Sequence, residues 1–323
     1  MHLVSARVVN PAAHEAYLKG NFYWGRSNCD GSKKGLEYYQ EAVAKDSAFA
    51  PAYVGVSQAY FTLGDWGCWP PEEAFSKSKA AALRALELDE RLGAAHAWLG
   101  TLAYFHEWDW DNADREYKQA IDLDPNYAHA HLSYAVFLVS MGKQEQGLAE
   151  MRKALELDPV AELTNMVSVH ILYLARKYDN AIKQAKNAIQ FYPDSGATYY
   201  WLGAVYESKG MYEQAIEAYL KSKSLNGAKP QELDAFRNAY RKSGIRGYWQ
   251  HVLDTLYESD KLKSECLRSG VYAHLGDKER AIEYLNQAFQ HRCNDLRSLK
   301  VDGVYDNLRE DPRFQDLIAR LRL

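Results

Sequence analysis

The chain reads PNYAHAHLSYAVFLVSMGKQEQGLAEMRKALELDP at residues 125–159, and the pattern of residue types in this segment returns every 34 residues as far as Gly227. Pro125, Pro159, Pro193 and Gly227 mark the unit boundaries. Three further series keep the same period: Ala113, Gly147, Ala181 and Ala215; Ala120, Ala154, Ala188 and Ser222; and Leu138, Leu172 and Tyr206. A fixed period of this length, with small residues at fixed phase and a proline closing each unit, is typical of stacked helical hairpins.

Each unit reads as two helices that cross closely. Tyr199 and Leu202 follow helical spacing and belong to the buried stripe of a first helix. The series that begins at Ala113 lies on second helices, where a bulky side chain would push the axes beyond their usual separation of ~8–10 Å. Gly142 and Gly210 end first helices, because glycine adopts the left-handed conformation at low cost. Since one hairpin cannot bury its own apolar face, the units are expected to stack.

The segment from Tyr199 to Gly227 resembles a tetratricopeptide repeat (TPR). The residues that carry the resemblance are Tyr199-Tyr200-Trp201-Leu202-Gly203-Ala204-Val205-Tyr206, Ala215, Tyr219 and the closing Leu225-Asn226-Gly227. The resemblance implies an all-α fold, a right-handed superhelical solenoid of about eight antiparallel helix hairpins with a C-terminal capping helix. An irregular helical bundle would not explain why several series of residues share the same 34-residue period.

The repeats are expected near residues 11–47, 50–90, 95–125, 128–159, 162–193, 196–227, 230–260 and 262–293. They make up a solenoid at 11–310, preceded by a linker remnant at 1–10. An insertion at 65–71 breaks the register of the second repeat, and a long helix is expected at 72–88. After Gly227 the pattern weakens, and an irregular helix pair is expected on either side of Gly244.

The last segment, residues 311–323, reads as an amphipathic capping helix. Asp311 is the expected N-cap and Pro312 the first helical residue. One apolar stripe is expected, formed by Phe314, Leu317, Ile318 and Leu321. Such a helix covers the exposed apolar face of the last repeat.

The whole chain resembles the TPR portions of large bacterial signalling proteins. The residues behind this are Leu18-Lys19-Gly20 with Tyr23-Trp24, Trp108-Asp109-Trp110 and Asp311-Pro312-Arg313-Phe314. In that group the repeats usually follow a winged-helix DNA-binding domain, a nucleotidyl cyclase or a kinase domain. The resemblance implies the sensory or scaffold part of a bacterial signalling or transcription regulator. Both a fragment that begins at a linker and a free-standing relative fit this sequence.

Composition argues against several classes of partner. Lys plus Arg number 39 and Asp plus Glu number 43, so the formal net charge is −4 and is spread without long runs. This balance disfavours binding of nucleic acid or an anionic membrane. No apolar run approaches the roughly 18–20 residues that span a bilayer, and residues 1–10 lack a secretory signal pattern. Cys29, Cys68, Cys266 and Cys293 show no paired zinc spacing, so reduced, mostly buried thiols in a cytoplasmic protein are expected.

The sequence carries no recognisable catalytic or metal-binding motif. It lacks a phosphate-binding glycine loop, a G-x-S-x-G elbow and an HExxH pair. His106-Glu107 has no second histidine at the needed spacing, and Asp109 and Asp111 suit helix capping. We therefore expect a non-enzymatic protein that uses no cofactor and no metal.

First-helix residues outside the hairpin stripes are expected to build a concave groove. The candidate partner-binding residues are Leu99, Leu132, Val136, Val139, Met166, His170, Tyr173, Tyr200, His96 and His129. An apolar groove suits a hydrophobic peptide or an amphipathic helix. Chaperone-binding relatives hold a terminal carboxylate with Lys, Asn and Arg, but the matching slots here hold Val, Leu, His and Ala. The alternative is that the superhelix, or another part of the parent protein, covers the groove.

Two further features leave alternatives open. The groove histidines are expected to be partly exposed with ordinary pKa values, the alternative being pH sensing. An aromatic edge is expected from inter-helix turns, formed by Trp66, Trp69, Trp108 and Trp110. These rings either pack as a satellite core or form a binding knob, and a small-ligand sensor with a pocket near this edge is the rival function.

Overall fold

The structure is a computed structural model that describes residues 9–25, 28–258 and 265–323. The chain divides into two compact units, unit 1 at residues 1–133 and unit 2 at residues 134–323. Within each unit the described residues form helices that pack in consecutive pairs, so the all-α repeat prediction is confirmed. The predicted linker at 1–10 falls almost wholly outside the described residues, as does the junction at 259–264 between the last two predicted repeats.

The helices of unit 1 are α1 (Pro11–Trp24), α2 (Cys29–Lys45), α3 (Ala50–Asp65), α4 (Pro71–Leu88), α5 (Gly93–Leu102) and α6 (Trp110–Leu123). A π-helical turn, Ala103–Glu107, extends α5. Helix α4 is the long helix predicted after the insertion, and it begins at Pro71, where a missing amide hydrogen costs little. Helix α7 (Ala128–Ser140) begins in unit 1 and ends in unit 2.

The remaining helices of unit 2 are α8 (Gln144–Leu157), α9 (Glu162–Leu174), α10 (Tyr178–Phe191), α11 (Gly196–Ser208), α12 (Tyr212–Leu225), α13 (Pro230–Glu258), α14 (Glu265–Leu275), α15 (Lys278–Gln290) and α16 (Pro312–Leu321). Helix α13 is broken by non-helical backbone at Ser243 and Gly244, which confirms the irregular pair predicted there. Two 3₁₀ turns, Asn294–Ser298 and Gly303–Leu308, connect α15 to α16. No helix in the described ranges is both long enough and apolar enough to cross a bilayer.

The small residues lie at close helix crossings, as their period predicts. Ala113, Ala181 and Ala215 are each 0% exposed. A Cβ atom added at Gly147 would lie 2.5 Å from Val139 Cγ2 and 2.9 Å from a backbone carbonyl of α7. Larger side chains at these positions would force the packed helices apart, at a typical cost of about 1–3 kcal/mol.

The 34-residue period extends to backbone conformation. Gly142, Gly210 and Gly244 have φ angles of 82°, 72° and 63°, so the predicted glycine helix ends are confirmed. Trp108 and Arg176 fall in the same series with φ angles of 57° and 58°. A left-handed residue other than glycine costs roughly 1–2 kcal/mol. Two large side chains are therefore held at positions where glycine would be less strained.

The C-terminal helix forms as predicted. The Asp311 side chain accepts a hydrogen bond from the Arg313 amide, and Pro312 opens the helix. Phe314, Leu317 and Leu321 are 1%, 1% and 3% exposed. The predicted apolar stripe is therefore buried inside unit 2.

The expectation of four reduced thiols is wrong for two cysteines. Cys29, at the start of α2, and Cys68, in the insertion after α3, form a disulfide with a Cα–Cα distance of 5.9 Å. The bond joins the inter-helix turns of two adjacent hairpins in unit 1. A separation of 39 residues resembles no short cysteine motif, so the pairing depends on how the inserted turn folds back. Cys266 and Cys293 are free.

Candidate functional site

The predicted groove residues of unit 1 are mostly buried. Leu99 and Leu132 are 8% and 3% exposed. His96 is 7% exposed, and its Nδ1 atom lies 2.7 Å from Glu116 Oε2. Burial within the chain therefore accounts for the apolar residues at positions 99 and 132 without a partner.

The predicted groove residues of unit 2 divide into a buried and an exposed set. Val136, Val139 and Tyr173 are 9%, 0% and 3% exposed. The residues that keep some exposure are Met166 and His170, which are half-buried, and Tyr200, which is 44% exposed. The apolar character of the buried set is explained by burial within the chain, whereas that of Tyr200 is not.

A C-terminal segment, residues 294–309, lies against α9 and its following turn. The Tyr173 hydroxyl donates a hydrogen bond to Asp302 Oδ1 at 2.9 Å. The Arg176 guanidinium donates two hydrogen bonds to the Asp306 carboxylate, at 2.6 and 2.5 Å. Part of the predicted groove surface is thus occupied by the chain itself.

The contact of this segment with α9 is close. Gly303 fits between the hydroxyls of Tyr178 and Tyr173, which would lie 3.6 and 3.9 Å from an added Cβ. Burial raises the pKa of Asp302 above its ordinary value, although the Val304 amide and the Tyr173 hydroxyl both donate to it. The sequence did not predict this contact, because the segment has no helical period. Asp302 and Asp306, four residues apart, were the only sequence signal of it.

Arg176 offers a direct test of this contact. We expect Arg176→Ala to lower the free energy of unfolding by about 0.5–1 kcal/mol, because an ion pair at a partly exposed site is worth little more. Arg176→Gly loses the same pair but relieves a left-handed backbone, so it should be about 1 kcal/mol more stable than the alanine variant. Urea denaturation followed by circular dichroism measures both. Equal stability of the two variants would contradict the strained conformation.

Beside the segment lies an inner patch, defined as Met166, His170, Tyr200 and Trp201. The His170 ring stacks on the Trp201 indole at a centroid distance of 3.9 Å and an interplanar angle of 16°. Tyr200 packs edge-on against Trp201 at 5.3 Å, and Met166 lies one turn before His170 on α9. The patch is therefore a packed, largely aromatic surface with one markedly exposed ring.

The expectation of ordinary histidine pKa values is wrong for two groove histidines. Burial lowers the pKa of His129 to about 4, and its ring stacks on the Trp98 indole at 4.5 Å. Burial, with the nearby Arg297 charge, lowers the pKa of His170 to about 3. Both rings are consequently neutral across the pH range in which histidine pH sensors work, so neither supports that alternative.

The predicted aromatic edge consists of side chains with different surroundings in unit 1. Trp66 is 43% exposed, whereas Trp110 is 7% exposed and packs against Tyr104 at 5.9 Å. Trp69 packs edge-on against Tyr60 at 6.0 Å, and Trp108 is half-buried. Neighbouring tyrosines thus contribute to the packing of Trp69 and Trp110.

A buried polar cluster in unit 2 was not predicted from the sequence. Glu207, at the end of α11, accepts hydrogen bonds from Trp249 Nε1 at 2.7 Å and from the Tyr219 hydroxyl at 2.8 Å. His274 Nδ1 lies 3.0 Å from the same carboxylate, and its ring stacks on the Trp249 indole at 3.9 Å. The Glu207 side chain is only 12% exposed. Side chains from α12, α13 and α14, the three helices that follow α11, therefore contact one carboxylate.

The described residues include cavities but no cluster suited to a metal ion. No group of three or more His, Cys, Asp or Glu side chains in these ranges is arranged to bind one. A cavity of about 640 Å³ beside the disulfide is lined by Tyr23, Asn28, Cys29, Asp30, Gly31 and Lys34. None of the four edge tryptophans lines it. A shallower one of about 410 Å³ lies on α11 and α12, lined by Tyr199, Leu202, Tyr206, Glu213, Gln214, Glu217 and Ala218.

Comparison with known proteins identifies the repeats. Three stretches, residues 128–160, 197–229 and 266–290, match the family model described as tetratricopeptide repeat. The transcriptional regulator HilA of Salmonella typhimurium is 24% identical over 167 residues, which cover 52% of this chain and 30% of that protein. Tetratricopeptide repeat protein 6 of Homo sapiens is 24% identical over 191 residues, 59% of this chain and 35% of that protein. The chain thus spans about a third of the length of these curated relatives.

Solved structures share the fold at low identity. The human IFIT1 dimer with PPP-AAAA has a TM-score of 0.54 at 14% identity, covering 98% of this chain and 95% of that chain. A monomeric IFIT1 mutant with Gppp-AAAA has a TM-score of 0.56 at 15% identity, covering 94% and 79%. The three matched stretches are tetratricopeptide repeats, and the described helices around them pack in the same consecutive pairs with small residues at their crossings.

Proposed function

We propose that this chain is a non-enzymatic protein-interaction scaffold and that a partner peptide or helix binds the inner patch of unit 2. Stacked helical hairpins act by presenting a shaped surface. The observation that carries the proposal is Tyr200, a large aromatic side chain that is 44% exposed although it packs edge-on against Trp201 at 5.3 Å. Aromatic residues on a preorganised surface are the residue type that contributes most to binding.

The chemistry of the patch favours an apolar segment or an amphipathic helix. Trp201 and Met166 offer apolar surface, and the His170 ring is neutral near pH 7 because burial lowers its pKa to about 3. Contacts of this kind depend weakly on salt, unlike ion pairs between exposed charges. Of the buried groove residues, Tyr173 packs against Trp201 at a ring distance of 5.6 Å, so it would then support the surface instead of contacting the partner.

The test compares two tyrosines of equal exposure. Tyr200 and Tyr212 are both 44% exposed, but Tyr212 lies on α12, outside the patch. A pull-down from native lysate compares wild type, Tyr200→Ala and Tyr212→Ala. Wild type and Tyr212→Ala should recover a partner, and Tyr200→Ala should not. Truncation of an aromatic anchor costs about 2 kcal/mol or more, roughly a 30-fold loss of affinity.

Two results would count against the patch. One is equal recovery of every partner by both tyrosine variants, each first shown to melt like wild type. The other is loss of binding in about 0.5 M salt alone, since that would indicate charged contacts. The rival function, a small-ligand sensor near the tryptophan edge, predicts instead a thermal shift with metabolites that Trp66→Ala removes and Tyr200→Ala leaves unchanged.

We further propose that the scaffold serves a bacterial signalling or transcription regulator. The support is the partial similarity to HilA, which is a transcriptional regulator, and the resemblance of both chain ends to that group. The coding DNA upstream of Met1 tests the context. An in-frame winged-helix, cyclase or kinase region there supports the proposal, and an upstream region unrelated to regulation counts against it.

The cytoplasmic location that this context implies stays a prediction. A disulfide such as Cys29–Cys68 is typical of oxidising compartments and uncommon in the cytosol. Rapid thiol alkylation of intact cells decides the point. A cytoplasmic chain should show both cysteines alkylated, whereas a protected pair would indicate an oxidising compartment.

A further inference from the structure

Two free thiols meet where α14 begins and α15 ends. Cys266 is the second residue of α14, and Cys293 follows the last turn of α15 in the antiparallel hairpin that these helices form. His291, two residues before Cys293, has its Nδ1 atom 3.5 Å from Oε1 of Glu265, which directly precedes Cys266. The two cysteines therefore lie at the same end of this hairpin, although 27 positions (293 − 266) separate them in the sequence.

The backbone holds both cysteines in place. The Cys293 amide donates to the Ala288 carbonyl at 2.9 Å, which fixes the chain as it leaves α15. The Cys266 carbonyl accepts a hydrogen bond from the Ser269 hydroxyl at 2.7 Å. Hydrogen bonds to α15 and within α14 therefore hold the two cysteines at this end of the hairpin.

The two thiols differ in access and in ionisation. Cys266 is 8% exposed, whereas Cys293 is half-buried. The hydrogen bond from Cys266 lowers the pKa of Cys293 and raises that of Cys266, although the carboxylates of Glu265 and Asp295 oppose a thiolate at Cys293. The thiolate is the reactive form of cysteine. Cys293 is therefore the thiol that attacks first. Cys266 is placed to attack the mixed disulfide that forms on Cys293.

We propose that Cys266 and Cys293 form a redox-active dithiol that small-molecule disulfides convert to an intramolecular disulfide. In the first step the Cys293 thiolate attacks one sulfur of the small disulfide, forms a mixed disulfide and expels one small thiolate. In the second step Cys266 gives up its proton and attacks the Cys293 sulfur, which expels the second small thiolate. Two electrons pass from the protein to the small disulfide, which is reduced to two thiols.

Closure of this bond would restrain the segment that contacts α9. Cys293 directly precedes the C-terminal segment, whose Leu296 and Leu299 are 1% and 0% exposed. A link from Cys293 to α14 anchors the beginning of that segment to the last repeat. The oxidised form should melt at a higher temperature, because the cross-link restricts the unfolded chain.

The test uses the full chain with Cys29→Ser and Cys68→Ser, so that the other disulfide cannot exchange. The protein is equilibrated with oxidised glutathione, alkylated and mapped by mass spectrometry. We expect one cross-linked peptide that joins residues 266 and 293. With Cys266→Ala added, a glutathione adduct should accumulate on Cys293; with Cys293→Ala added, Cys266 should remain unmodified.

Two outcomes would overturn the proposal. One is that, in the Cys29→Ser, Cys68→Ser parent, both remaining thiols are still free to be fully alkylated after equilibration with oxidised glutathione, while circular dichroism shows a folded protein. The other is that glutathione accumulates on Cys266 in the Cys293→Ala variant, because the buried thiol would then be the attacking group. The parent protein alone decides the first outcome, so the proposal does not depend on the stability of either alanine variant.

Discussion

A chain that lacks residues 311–323 is expected to aggregate or self-associate, and its last repeat is expected to lose stability. Helix α16 buries Phe314, Leu317 and Leu321 at 1%, 1% and 3% exposure. Full burial of such side chains contributes about 1.5–3 kcal/mol each, so the deletion removes roughly 5–9 kcal/mol of apolar burial as an upper estimate. That amount is comparable with the whole stability of a typical domain.

The deletion also uncovers the surface that α16 protects. Phe314 packs against Tyr305 at a ring distance of 6.2 Å, and Arg313 makes two hydrogen bonds to Glu279 at 2.6 and 2.9 Å. Size-exclusion chromatography with light scattering and a thermal melt would measure the effect. The matched control is Gln315→Ala, an exposed position of the same helix. A monodisperse monomer that melts like wild type after the deletion would mean that α16 is not a cap.

The sequence predicted those parts of the fold that depend on neighbours within a repeat. Ala181 and Ala215 are small because the two helices of each pair cross at those residues, and Gly142 ends a helix because its φ angle is 82°. Each of these requirements recurs in every unit, so it leaves a period in the sequence. Arg176 shows the limit of that reasoning, since it occupies the glycine phase and is left-handed all the same.

The candidate site was predicted less well, because its contacts do not repeat. The hydrogen bond from Tyr173 to Asp302 joins residues 129 positions apart, and the pair of Arg176 with Asp306 joins residues 130 positions apart. The helical phase of Tyr173 indicates that its side chain faces away from its own hairpin. It does not indicate what lies on that side, and in unit 2 a non-periodic segment of the same chain lies there.

Glu207 depends on the same kind of distant contact, and Glu207→Ala is expected to lower the free energy of unfolding by roughly 3–5 kcal/mol. The substitution leaves the Trp249 indole N–H and the Tyr219 hydroxyl without their acceptor in a buried site, and it removes the partner of His274. Unsatisfied buried donors cost about 1–3 kcal/mol each, which supports the size of the effect. Urea denaturation followed by circular dichroism measures it.

The matched control is Glu217→Ala, an exposed glutamate on α12, which should change stability by less than about 0.5 kcal/mol. A loss below about 1 kcal/mol in Glu207→Ala would show that the cluster relaxes or admits water. Glu207→Gln separates charge from hydrogen bonding, because the amide oxygen still accepts one hydrogen bond. It should fall between wild type and alanine in stability.

The pH dependence of stability identifies the charge of Glu207. Burial is the largest influence and raises its pKa, but His274 and the hydrogen bonds from His274, Trp249 and Tyr219 together hold that pKa below its ordinary value of 4.5. A folded pKa below the unfolded one means that the carboxylate contributes stability above about pH 4.5, and that this contribution is lost as the pH falls through the folded pKa. Wild type should therefore lose more stability than Glu207→Gln between pH 6 and pH 3. Parallel losses in the two proteins would mean that folding leaves the pKa of Glu207 unchanged, and a smaller loss in wild type than in Glu207→Gln would mean that the carboxyl is protonated in the folded chain.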